Sequence, residues 1–179
     1  MKKMPTIFLR DWDGDRRYVT RTPHPDCGWV FAGEGLPTRK YDGTCVQWDG
    51  ERWWARREIK AGRKEPPGYD AIMRDERTGT AVGWEPAEQS GYHRYLDEAV
   101  GTGPWEPGTY ELIGPRINGN PESVDRHTLV RHGAEELPDV PRDYAGLAAW
   151  LRAHPWEGIV WHHPDGRMAK LKRRDFPAA

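Results

Sequence analysis

A lysine two residues ahead of an Asp-Gly pair is the first candidate for covalent chemistry in this 179-residue chain. Lys40-Tyr41-Asp42-Gly43-Thr44 stands just before an apolar strand pattern, so an amine there is a candidate nucleophile. A free lysine, with a pKa near 10.4, is almost wholly protonated at neutral pH and cannot attack. Burial, cationic neighbours or a bound metal ion lower that value, and a drop of ~2–3 units takes ~3–4 kcal/mol of differential interaction. Taken alone the Lys-x-Asp-Gly pattern recurs by chance, and a surface turn accounts for it better. Other residues add to it. Arg56 follows on the next strand, where a guanidinium can reach a phosphate or a ribose. Glu111 and Glu157 are single carboxylates feeding apolar strands, in Tyr-Glu-Leu-Ile-Gly and Glu-Gly-Ile-Val-Trp-His. Lys170 and Lys172 alternate with apolar residues, so both side chains project from one face of a strand. Each has a plain structural reading as well: exposed strand carboxylates, or lysines covering a sheet edge.

These residues need strands to hold them, and strand signals dominate. Residues 45–59 read as two strands around the turn Asp49-Gly50. Residues 109–115 and 127–133 are short strands bounded by Gly and Pro. Residues 158–163, the turn Pro164-Asp165-Gly166 and the segment after it form a second hairpin. Two helices are expected. One, over 140–154, has Tyr144, Leu147, Ala148 and Leu151 on one face, and a weaker one runs around 86–100. Many strands, few helices and no βαβ alternation predict an α+β fold on antiparallel sheets, in a single domain over 1–179. The stretch 61–84, rich in Gly, Pro and charge, reads as a surface loop.

Composition narrows the classes. Hydrophobic residues make up 36% and charged residues 31%, yet ten Trp, seven Tyr and three Phe supply large buriable surfaces, which argues against disorder. No apolar run approaches a membrane span and the start lacks an apolar signal core, so no membrane partner is expected. Two cysteines, Cys27 and Cys45, make neither a disulfide framework nor a zinc quartet, and a reducing cytoplasm is the expected compartment. The net charge of −1 hides basic stretches at 51–64 and 166–174, which read as solvated faces or as phosphate-binding surface.

The ordered set of lysine, arginine, two glutamates and a lysine pair resembles the covalent nucleotidyltransferase superfamily of ATP-dependent DNA and RNA ligases and mRNA capping enzymes. Lys40-Tyr41-Asp42-Gly43 is similar to its nucleophile motif, with Arg56, Glu111, Glu157 and the pair Lys170 and Lys172 near its later motifs. A closer resemblance is to the RNA ligase 1 family, carried over about residues 36–174 by LPTRKYDGTC, ELIGPRINGNP, HTLVRHG and EGIVWHHPDG. INGNP at 117–121 and EGIVWH at 157–162 are its most specific segments. Arg39 departs from the pattern by standing where an acidic residue is expected, and His162 replaces the lysine of many superfamily members.

The resemblance implies a nucleotidyltransferase (ligase adenylation domain) fold, ATP-grasp-like, with no OB domain after residue 174. It implies an enzyme that uses ATP and Mg²⁺ or Mn²⁺ to seal RNA 5′-phosphate and 3′-hydroxyl ends through a lysyl-AMP and an adenylylated RNA. By this resemblance Lys40 is the nucleophile, Glu157 the metal ligand, and Arg39, Lys40, Asp42, Gly43, Arg56, Glu111, Ile159, Lys170 and Lys172 bind nucleotide. Glu111 would meet the ribose hydroxyls, and Ile159 or Val160 would pack beneath the adenine. A monomer is the default. The same chemistry with a DNA or protein acceptor, and an inactive nucleic-acid-binding module, are alternatives. Covalent uptake of label from ATP separates enzyme from binder. Among the tryptophans, Trp84 and Trp161 are the better candidates for stacking on RNA bases, and Cys45 reads as a buried small residue.

Overall fold

The computed structural model describes residues 4–101 and 103–177. In chain order it contains β1 (Phe8–Arg10), β2 (Val19–Pro23), α1 (Gly28–Phe31), β3 (Leu36–Lys40), β4 (Thr44–Trp48) and β5 (Trp53–Ile59). There follow β6 (Asp70–Arg74), β7 (Ala81–Pro86), α2 (His93–Val100), β8 (Gly108–Ile113), β9 (Thr128–Arg131), α3 (Tyr144–Ala153), β10 (Gly158–His162) and β11 (Met168–Lys172). Every pairing between these strands is antiparallel, so the class is α+β as the pattern of elements predicts. No helix among the described residues is long and apolar enough to cross a membrane.

The chain forms two compact units, a central one over Asp42–His132 and a terminal one that joins Met4–Tyr41 to residues 133–177. The central unit is a six-stranded sheet in the order β6-β7-β5-β4-β8-β9. Its β4–β5 turn forms because the Asp49 carboxylate accepts the N–H groups of Glu51 at 2.8 Å and Arg52 at 2.9 Å, while Gly50 takes a φ of 106°. Those backbone donors pull the Asp49 carboxyl down to about 2. One face of the sheet is closed by Leu96 and Ala99 of α2, packed with Val46, Ala55, Tyr110 and Leu112.

Two strands lie where the sequence suggests a loop. Within 61–84, β6 and β7 pair with each other, and β7 also pairs with β5, so all six residues of β7 are buried. A register shift between Ala71 and Met73 breaks the alternation that would have marked β6. Trp84 belongs to this buried strand, 6% exposed, and is core rather than a base-stacking surface.

The terminal unit holds the three-stranded sheet β11-β10-β3 and the pair β1-β2. Its core joins Ile7, Phe8, Trp29, Leu147, Leu151, Ile159, Trp161 and Leu171. Helix α3 starts where the Asp143 carboxylate accepts the Gly146 N–H at 2.9 Å, and it presents Leu147, Ala148 and Leu151 to that core. Trp161 is fully buried there, which removes it too from any contact with RNA bases.

Candidate active site

The register of the terminal sheet assembles the first cluster. Gly158 of β10 pairs with Lys40 of β3 on one side and with Lys172 of β11 on the other. The two lysines therefore stand on the same face with a glycine between them. Gly158 has no substitute there, because a Cβ would lie 2.1 Å from the Leu171 carbonyl oxygen. Val160 pairs with Thr38 and Lys170, so Lys170 rises from the same face two residues along.

Glu157, next to Gly158, receives both ammoniums. Its Oε2 accepts from Lys40 Nζ and its Oε1 from Lys172 Nζ. The three side chains are largely withdrawn from solvent, at 17%, 9% and 16% exposure for Lys40, Glu157 and Lys172. Burial pushes the Glu157 carboxyl up, but the charge of Lys40 and the hydrogen bonds from Lys172 and Lys40 outweigh it, and the group lies below its usual range. Lys170 goes the other way. Burial first, then the like charges of Lys172 and Lys40, push it down to about 8 against the pull of Asp175 and Glu157. Lys40 and Lys172 thus share one carboxylate with Lys170 beside them, and the face carries positive charge to spare.

The next residue along β3 from Lys40 belongs to the other face. Arg39 pairs with Ile159, its Nη1 lies 3.4 Å from Glu135 Oε2, and its guanidinium covers the rings of Tyr41 and Trp156. The same Glu135 oxygen accepts the Tyr41 hydroxyl. Glu135 therefore anchors the residues on both sides of Lys40. Nothing in the sequence marks it, since it lies in an irregular acidic stretch. Ile159 needs correction. Strand alternation turns it from the lysine face into the core, fully buried, so it cannot lie against an adenine; Val160 is the apolar residue that shares the face of Lys40.

The central unit builds a second cluster on Asp42 and Gly43. The Gly43 N–H donates to Glu111 Oε1 at 3.1 Å, and a Cβ at Gly43 would lie 2.3 Å from the Leu112 carbonyl oxygen. The other Glu111 oxygen lies 2.8 Å from His132 Nε2, and His132 Nδ1 lies 2.9 Å from the Thr109 hydroxyl. This chain of contacts fixes the imidazole as an orienting group for the carboxylate. Asn118, at a φ of 49°, donates Nδ2 to Gly43 O at 2.8 Å and to Asp42 Oδ1 at 3.2 Å. The Asp42 N–H donates to Glu122 Oε1 at 2.8 Å. The INGNP loop thus clamps the Asp-Gly turn, which gives a physical meaning to a segment that sequence offered only as a signature. Cys45 is half-buried opposite Glu111 rather than fully enclosed. Arg56 of β5 and Glu111 of β8 project from one face of the sheet, with β4 between them. His127 is a core residue, bonded to Glu98 at 2.7 Å and stacked on Tyr95.

Among the described residues no three His, Cys, Asp or Glu side chains cluster to hold a metal ion. Glu157 offers one carboxylate. A divalent cation there fits only with phosphate oxygens and water completing its shell, which is the habit of Mg²⁺.

A sequence model of the RNA ligase 1 family matches residues 98–177. The matched segment contains Glu111, the INGNP loop, Glu157, Lys170 and Lys172, while Lys40 and Arg56 precede it. Proteins named RNA ligase 1 are similar over 74 residues: 36% identical in Pongo abelii, 39% in Rattus norvegicus and 35% in Danio rerio. Each alignment takes in 36% of this chain and 23% of the relative, so the chain spans about a quarter of the length of the curated relatives it matches. Over this segment the chain is similar to the RNA ligase 1 family.

Proposed function

We propose that the chain has the ligase adenylation fold and acts as an ATP-dependent RNA ligase, sealing 5′-phosphate and 3′-hydroxyl ends. The observation that carries this reading is the Lys40–Glu157–Lys172 cluster across Gly158, with Lys170 beside it. It brings an amine of β3, a carboxylate just ahead of β10 and two further cations of β11 to one face, the groups this chemistry requires.

The reading runs as follows. Glu157 holds the Lys40 side chain in place before the nucleotide arrives. The triphosphate, an anion, takes Lys172 and Lys170 as partners; Lys40 loses its ammonium proton to solvent and attacks the α-phosphorus, whose bond to the bridging oxygen breaks so that pyrophosphate leaves with the electron pair. Lys170 and Lys172 stabilise the charge that grows on the α-phosphate oxygens. Glu157 would also hold Mg²⁺ or Mn²⁺, which would supply further neutralisation of phosphate charge. Glu111, oriented by His132 and the Gly43 N–H, would receive the ribose hydroxyls, with Asp42 and Arg56 as further nucleotide contacts; Arg39, on the opposite face of β3 and held over Tyr41 and Trp156, is not among them. The AMP then passes to an RNA 5′-phosphate, and a 3′-hydroxyl displaces it.

The test supplies ATP, Mg²⁺ and a nicked or open 5′-phosphorylated strand, as RNA and as DNA in parallel. Sealing of RNA supports the proposal. Sealing of DNA alone, or label on the protein with no sealing of either, assigns a different acceptor.

A further inference from the structure

The basic stretch that runs on from β5 has no part in the site described above. Residues 57–64 curl around a half-open hollow of about 510 Å³ in the central unit, lined by Arg57, Glu58, Ile59, Lys60, Arg63 and Lys64. Four cations face one acid there. Ile59 is 6% exposed and lies beneath, so the open rim is charged. Arg56, one residue back along the strand from Arg57, turns to the other face of the sheet. The hollow is therefore separate from the face that carries Arg56 and Glu111.

The turn that carries these cations is fixed in shape. The Arg63 N–H donates to the Lys60 carbonyl at 3.1 Å, with Gly62 at a φ of 75°. Ala61 packs against Gly79, where a Cβ would lie 3.0 Å from the Ala61 Cβ, and Glu65 pairs with Arg74 of β6 at 2.6 Å. The β6–β7 hairpin thus holds the turn at both ends. Arg57 is fixed as well. Its Nη1 donates at 2.5 Å to the buried carboxylate of Glu85, and its carbonyl accepts the Tyr69 hydroxyl at 3.1 Å. Lys60, Arg63 and Lys64 differ: all three are exposed, and none has a carboxylate partner among the described residues. Like charges held this close repel one another, while the nearby acids Glu65 and Glu85 are committed to Arg74 and Arg57.

We propose that this turn is a docking surface for a nucleic-acid strand, with Lys60, Arg63 and Lys64 taking phosphates of its sugar-phosphate backbone. That the strand is RNA rests on the ligase reading; the contact to phosphate does not. Cations on long stems, spread along an open turn, suit single charges spaced along a chain. A compact anion is better served by groups that converge in an enclosed pocket, and this hollow is half-open. An anionic lipid surface is the poorer partner, because the exposed large hydrophobic side chains among the described residues are Trp12 and Leu36, and neither lies on this turn to enter a bilayer. No aromatic ring or side-chain amide lines the hollow to stack on a base or read its edge, so the surface should hold strands without regard to sequence.

The test is fluorescence-anisotropy titration of a dye-labelled, mixed-sequence single-stranded RNA with the full chain, without ATP, comparing wild type with the Lys60→Gln/Arg63→Gln/Lys64→Gln variant. The three side chains are exposed, so the melting temperature should not fall, and it reports folding. With one phosphate for each of the three cations, at about 0.7 per contact, log affinity should fall against log salt less steeply in the variant by about 2. Raising salt from about 50 to about 200 mM should then weaken the wild type roughly twentyfold more than the variant. Equal slopes in the two proteins overturn the proposal. So does a variant that loses binding to phosphatidylserine vesicles while its RNA binding is unchanged, which assigns the turn to a membrane. RNA binding that depends on the three cations, in a chain that never takes up AMP, keeps the surface and removes the ligase reading. Sealing of RNA with a KM for RNA indifferent to the three substitutions does the reverse.

Discussion

Replacing Lys170 by methionine should make the protein more stable and less active. The side chain keeps its length and loses its charge. Burial and the neighbouring Lys172 and Lys40 hold the ammonium at about 8, well below its ordinary 10.5. At about 1.4 kcal/mol per unit, keeping this group charged in the folded protein at pH 7 costs about 3 kcal/mol. The sign follows from proton counting. Between pH 8 and 10.5 the unfolded chain binds more protons at this position than the folded one, so stability climbs with pH across that window and is lost again as pH falls. Lys170→Met should therefore raise the melting temperature at pH 7 by about 6–12 °C for a chain of this length. Its advantage should shrink to a third or less at pH 10, where the wild-type group is already neutral in the fold. Urea or thermal denaturation at the two pH values reads both numbers, and labelled ATP reads the loss of adenylylation. A variant less stable than wild type at pH 7, or an advantage unchanged at pH 10, refutes the reasoning.

Other substitutions address the remaining parts. Glu157→Gln leaves Lys40 and Lys172 facing a neutral amide and should cost about 3–5 kcal/mol near neutral pH. Because the Glu157 carboxyl lies below its usual range, the difference from wild type should be full above about pH 4.3 and fade as pH falls further; acid titration of stability checks this. Gly158→Ala drives a Cβ to within 2.1 Å of the Leu171 carbonyl and should cost roughly 3 kcal/mol by denaturation. His132→Ala removes the group that orients Glu111; the KM for ATP should rise roughly tenfold or more, about the effect of one lost hydrogen bond to a charged partner, with Lys40 labelling retained at saturating ATP.

The elements that sequence makes legible are those with local causes. Asp49-Gly50 and Pro164-Asp165-Gly166 are turn signals, and the alternation of Ala169, Lys170, Leu171 and Lys172 fixes which of them share a face. The pairing of β3 with β10 is a contact between distant parts of the chain, and no local pattern announces that Lys40 and Gly158 are partners. The strands β6 and β7 hide for a different reason. β7 is buried along its whole length and shows no polar alternation, and β6 carries a register shift. Trp84 and Trp161 stand inside the family-like segments, which makes them the better stacking candidates in the sequence, yet strand pairing puts both in cores. At the site, residue types that carry charge against an apolar background, such as Glu111 and Glu157, stand out in the sequence. The groups that position the neighbouring residues, Glu135 on Tyr41, Asn118 on the Asp42-Gly43 turn and Thr109 on His132, lie in irregular stretches or use unremarkable side chains, and only the folded backbone brings them into contact. Ile159 shows the remaining gap: the right segment was legible, but one residue of register decides which side chain meets a ligand.

The most direct measurement is incubation of the full chain with α-labelled ATP and Mg²⁺, followed by mass spectrometry of its peptides. The account predicts a single AMP adduct on the peptide containing Lys40, bound through the side-chain nitrogen and gone in Lys40→Met. No adduct, an adduct on another residue, or label that persists in Lys40→Met contradicts it.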